Sequence, residues 1–157
     1  MMRRCTALAL CLLGVAVPAS VAAQDFDADG EAEMLARLTE LRAAEDLPPL
    51  ERHAGLDAAA RSHCLDMAAQ QTLTHVSASS GTPADRVRAA GVEAGLIAEN
   101  VALHRSAAEA HQTLVGSDAH RGNMLAPNMT HVGLAALRTD QGVYVTQVFA
   151  ALAGSDG

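Results

Sequence analysis

Lysine and tryptophan are absent from this 157-residue chain, and aromatic side chains are scarce: Tyr144, Phe26 and Phe149 are all there are. The 11 basic residues are therefore all arginines, and they are outnumbered by 18 acidic ones, for a net charge of −7. A nucleic-acid partner needs a basic face, and stacking on single strands needs rings, so both are excluded. Cysteine is rare as well, at three residues. No apolar run reaches the ~20 residues that span a bilayer. The catalytic signatures G-x-S-x-G, H-E-x-x-H, the Walker loop and the dinucleotide-binding glycine loop are missing too.

What is present begins with an address. Arg3 and Arg4 precede an apolar stretch over 5–17, and Val21 and Ala23 stand at the −3 and −1 positions of a small-residue cleavage site. This predicts a secretory signal peptide over 1–23, a secreted or periplasmic protein, and no integral membrane span after cleavage. Cleavage removes Cys5 and Cys11 and leaves Cys64 alone, so disulfides cannot staple the domain. Stability must come from a packed core, for which a chain of this length suffices. Cys64 falls on an apolar helical stripe and reads as core filling in a monomer.

Residues 24–32 are acidic and aperiodic, which predicts a flexible tail; a flexible end is expected over 151–157 also. The Asp25-x-Asp27-x-Asp29-Gly30 pattern resembles the start of a calcium loop, but Ala36 occupies the position of its closing glutamate. Met34, Leu35, Leu38 and Leu41 predict a helix over 31–46, stopped by Pro48-Pro49. Leu56, Ala60, Cys64 and Met67 predict a second over 55–71, with His63 beside its apolar face. Thr82-Pro83-Ala84-Asp85 opens a third, which Gly91 ends. Ser106-x-x-Glu109 reads as a capping box for a fourth, to about 116, with His111 on its apolar side. The period then changes to two over 131–138 and 143–149, around Thr139-Asp140-Gln141-Gly142: an antiparallel hairpin. Helices followed by a terminal sheet predict an α+β domain.

The seven histidines are the unusual chemical feature. His75, Glu99 and His120 stand at element edges, where sites are commonly built. Spacing alone does not bring them together. Ser77 lies near His75, but adjacency in sequence is not triad geometry.

The ordered set of motifs is more specific. It runs Leu41-Arg42-Ala43, Leu47-Pro48-Pro49-Leu50, Leu73-Thr74-His75 and Pro83-x-Asp85-Arg86-Val87, then Ala98-Glu99-Asn100-Val101, Ser117-x-x-His120-Arg121-x-Asn123-Met124-Leu125, His131-Val132-Gly133-Leu134 and Tyr144-x-Thr146-Gln147-Val148-Phe149. Over residues 33–150 this resembles the bacterial branch of the CAP superfamily, which also holds cysteine-rich secretory, venom-antigen and pathogenesis-related proteins. The resemblance implies a three-layer α-β-α sandwich with a small mixed sheet. It also implies a His/Glu-lined cleft, onto which His75, Glu99, His120, Ser117 and Tyr144 map by position. Ser117 and Tyr144 replace a glutamate and a histidine of eukaryotic members, so activity that needs the full eukaryotic set is not implied. Asn100, Arg121 and Asn123 match as architectural residues.

Three functions follow as expectations. The first is a non-catalytic domain that binds a small or lipid-like ligand at the cleft. The second is a zinc site on His75 and His120, with Glu99 beside them and hydrolytic chemistry on a metal-bound water. The third is a structural or interaction protein of the cell envelope, the cleft being satisfied polar packing.

Overall fold

The computed structural model describes residues 25–152; the expected leader over 1–23 and the residues from 153 on lie outside them. Along the chain come helix α1 (Ala28–Ala43), a short strand β1 (Glu51–Arg52), α2 (Ala54–Gln70), α3 (Pro83–Ala89), β2 (Ala94–His104), α4 (Ala107–Val115), α5 (Asp118–Met124), β3 (His131–Thr139) and β4 (Gly142–Leu152). The sheet order is β1-β3-β4-β2; β1 pairs parallel with β3, and the other pairings are antiparallel. This is the expected mixed sheet with its terminal hairpin.

Local chemistry sets most helix starts. Asp27 caps α1 by accepting from the Gly30 N–H at 2.9 Å. The helix therefore begins at Ala28, inside the acidic segment read as a loose tail. Phe26 bridges to Leu137, and the Asp25 carbonyl accepts from the Arg138 N–H, so the segment from residue 25 on is held against the hairpin. Thr82 and Asp85 form a reciprocal capping box before α3, with Pro83 in the first turn. The box predicted for α4 is only half made. Ser106 accepts from the Glu109 N–H, but the Glu109 carboxylate pairs with Arg105 instead.

The sheet is buried on both faces. Val143, Val145 and Phe149 of β4 pack with Met34 and Leu38 of α1 and Leu114 of α4. Tyr144, Val148 and Ala150, which point the other way, pack with Leu56, Ala60 and Met67 of α2 and Val87 of α3. Alternation along one strand thus feeds two cores, and the layers are helix, sheet, helix. Two features fasten the layers. Arg42, fully buried at the end of α1, donates to the carbonyls of Pro48, Met124 and Ala126, which fixes the C-terminus of α5. On the opposite side α2 lies directly on β3 at Gly133, where a Cβ would sit 2.1 Å from the Leu56 carbonyl carbon. Gly142, at φ 129°, closes the hairpin as expected. Among the described residues no helix is long and apolar enough to cross a membrane.

Candidate functional site

The residues Ile97, Glu99, Val101 and Leu103 alternate onto the α2 face of the sheet. Glu99 is thereby placed on an apolar surface, where an unpaired carboxylate is strongly unfavourable. Three side chains converge on it. Its Oε2 accepts from Nη2 of Arg86 at 2.6 Å, and both side chains are only 1% exposed. Its Oε1 accepts from Nδ1 of His75 at 3.0 Å, and Nε2 of His63 lies 3.6 Å away.

Arg86 also donates to the carbonyls of Gly81 and His75, so one guanidinium ties α3 to the 75–81 loop and to β2. His63 donates from Nε2 to the Thr74 carbonyl at 2.6 Å and fixes the residue just before His75. That bond sets the tautomer: Nδ1 of His63 is the acceptor, and it is buried without a partner among the described residues. His75 differs from the rest of the cluster in being 50% exposed. Its Nδ1 faces the carboxylate, so the Nε2 of a neutral ring is an acceptor, and among the described residues that nitrogen makes no hydrogen bond. Leu73 and Val76, both about half exposed, flank it.

Among the described residues, the other cleft positions implied by the resemblance make no side-chain hydrogen bond to His75 or Glu99. His120 lies half-buried on α5, and its carbonyl accepts from Asn100 Nδ2 at 3.1 Å. Among the described residues its ring makes no hydrogen bond to His75 or Glu99. Ser117 stands at the N-cap of α5 without a side-chain capping bond. Tyr144 is a core residue rather than part of a cleft. Alternation along β4 buries its ring on the α2 face, and its hydroxyl donates to Gln141 at 2.7 Å. It pairs with Leu103, four residues along β2 from Glu99. Among the described residues no three His, Cys, Asp or Glu side chains are grouped to hold a metal ion, so the zinc set of His75, His120 and Glu99 is not assembled.

Asn100, Asn123 and Arg121 each make side-chain hydrogen bonds. Asn123 donates to Asn100 Oδ1, Asn100 to Gln147 Oε1, and Gln147 to Nδ1 of His111. Arg121 pairs with Glu45 at 2.7 Å. The remaining nucleophiles are engaged or sealed. Ser77 is buried and organises a turn through the Ser79 N–H and Ser79 hydroxyl. Burial pushes the Cys64 thiol up to about 12, and it contacts Thr146 and the Tyr144 carbonyl.

His63 and His111 both have lowered pKa values, chiefly because burial disfavours the imidazolium. A base depressed in the folded state contributes stability above its unfolded pKa of about 6.5, and loses it as pH falls below that value. Unfolding free energy is therefore expected to fall as pH drops from 7 towards 5, with both rings contributing to the slope. Urea titrations at stepped pH measure it, and His111→Gln makes the slope shallower. A flat profile would contradict the assignment of both rings as neutral and buried.

Arg86 and His63 are the functional neighbours that sequence reading does not assign. A signal for Arg86 exists: a glutamate on an apolar strand face requires a buried cation, and every cation here is an arginine.

Comparison with known proteins places these features in context. Residues 35–149 match the family model described as the cysteine-rich secretory protein (CAP) family. The uncharacterized protein YkwD of Bacillus subtilis is 30% identical over 109 residues, which cover 69% of this chain and 42% of that protein. The chain thus spans less than half the length of this curated relative. Among solved structures, an extracellular SCP-domain protein from Bacillus anthracis superposes with a TM-score of 0.71 at 26% identity, over 78% of this chain and 40% of that one. An outer surface protein from Borrelia burgdorferi gives 0.74 at 17% identity, over 82% and 98%.

Proposed function

The chain belongs to the cysteine-rich secretory protein (CAP) family, and from that premise we propose that it is an exported, monomeric, non-catalytic domain that binds a small or lipid-like ligand at His75. The descriptions of its relatives as extracellular or outer-surface proteins support export, as does the leader-like sequence pattern over 1–23.

One observation carries the binding reading. A half-exposed imidazole is oriented by a fully buried carboxylate, itself clamped by a buried arginine, and is flanked by exposed Leu73 and Val76. Burying an ion pair is rarely the most stable choice for a core. Here it holds one imidazole at the surface, in a loop segment that also exposes Leu73 and Val76. That surface suits a ligand with an apolar body and a hydroxyl head, the hydroxyl donating to Nε2.

Dehydroergosterol, a fluorescent sterol with a single hydroxyl, is the probe for the test. The purified protein should bind it saturably, and His75→Ala should weaken binding by about tenfold, the loss of one good hydrogen bond. Absence of saturation, or unchanged affinity in His75→Ala, would overturn the reading.

The structural alternative also has an observation in its favour: both oxygens of Glu99 are satisfied within the chain. Under that alternative His75→Ala shifts the thermal midpoint, and no added sterol restores it.

A further inference from the structure

Helices α2 and α3 do not close on each other. Between them and the Ser79–Gly81 turn lies a cavity of about 640 Å³, within the range of small-molecule sites. Its walls are mostly small side chains, with Ala58 and Ala59 from α2, Ala89 at the end of α3 and Ala90 just beyond it. Two charged residues, Asp85 and Arg86, also line it.

Arg86 supplies the second observation. Its two terminal nitrogens are taken by Glu99 and by the carbonyls of Gly81 and His75, but its Nε–H is buried and has no acceptor among the described residues. A buried donor without a partner is destabilising, and a ligand oxygen seated against this side chain would remove that deficit. The charges around the cavity decide what kind of oxygen. Arg86 is already neutralised by Glu99. Asp85 is occupied by Thr82 and Arg88, and neighbouring Asp66 by the hydroxyls of Ser79 and Ser80. An anionic head would meet these two carboxylates with no free cation to balance it, and a cationic head would find both carboxylates already bound. A neutral acceptor fits.

We propose that the α2–α3 cavity is a second binding site, separate from His75, for a compact neutral amphiphile whose apolar body lies on the alanines and whose carbonyl or ester oxygen accepts from Arg86.

Prodan, a neutral naphthalene carrying one ketone, tests this on the purified protein. Saturable binding with blue-shifted emission is expected, together with a downfield move of the Arg86 Nε–H signal by NMR. Ala58→Phe and Ala89→Phe fill the cavity from opposite walls at exposed positions and leave the Arg86–Glu99 pair intact. Each should weaken Prodan by at least about tenfold, and anilinonaphthalene sulfonate should bind the unaltered protein at least about tenfold more weakly than Prodan does. His75→Ala should leave Prodan affinity unchanged.

No saturable Prodan binding, equal binding of the sulfonate, or indifference to both phenylalanines would overturn the proposal. Prodan binding lost in His75→Ala but kept in Ala58→Phe would overturn it too, while leaving the His75 reading standing. Conversely, failure of dehydroergosterol with success of Prodan separates the two sites.

Discussion

Replacing Glu99 with glutamine should lower the unfolding free energy by about 3–5 kcal/mol, the usual result of leaving one member of a buried ion pair behind. The change is nearly isosteric, so packing survives and the loss reports electrostatics alone. Arg86 would remain inside the protein with a neutral amide opposite it, and His75 would lose the carboxylate that orients it. Against a total stability of about 5–15 kcal/mol for a domain of this kind, such a loss is large. Urea unfolding gives the difference. The double variant Arg86→Met with Glu99→Leu should recover much of it, because no charge is then stranded. A loss below about 1 kcal/mol, the range of exposed pairs, would mean that water reaches the pair in solution and that the site is not the sealed clamp described above.

Gly133→Ala should have a comparable effect by a different route. The added methyl would lie 2.1 Å from the Leu56 carbonyl carbon and 2.4 Å from its oxygen, and both are main-chain atoms. A flexible side chain could step aside from such a contact, but a helix backbone cannot do so alone. Helix α2 must lift as a unit from β3, which separates Leu56, Ala60 and Cys64 from Ala135 and Val148. Overpacking of cores destabilises by about 1–3 kcal/mol and sometimes more, and a backbone-on-backbone contact belongs at the upper end. The expected outcome is a thermal midpoint lower by about 10 °C or more, on the usual conversion for a domain of this size. A midpoint within a degree of the original would show that the strand has slack that the structure does not have. Within the His131-Val132-Gly133-Leu134 motif, this contact gives the glycine its physical reason.

Helical periodicity marks α1 and α2 in the sequence, and the change to period two marks the hairpin, because each of these elements has a face that differs from its opposite; α3 and α4 are marked by their cap residues. Strand β2 hides for the converse reason. It is largely covered, and Glu99 and Asn100 interrupt its apolar run with polar groups that are buried and paired. Helix α5 is seven residues long and includes a glycine; what holds it in place is Arg42 and Asn100, both distant in sequence. Tertiary contact of this kind leaves no local pattern. The site divides in the same way. His75 and Glu99 enter through the family resemblance and prove to be hydrogen-bonded. His120 and Tyr144 enter by the same route, and neither is hydrogen-bonded to that pair, since α5 and the strand alternation direct them elsewhere. The lesson for the acidic segment 24–32 is simpler: one well-placed cap, Asp27, outweighs a composition that reads as loose.

The sealed thiol of Cys64 makes the protein its own stopwatch. Squeezed between α2 and the sheet, the sulfur can meet a modifying reagent only during moments when the helix parts from the strands. Its alkylation rate in plain buffer, set against that of a free thiol, therefore measures how often the native fold breathes there. Gly133→Ala and Glu99→Gln could then be ranked without any denaturant.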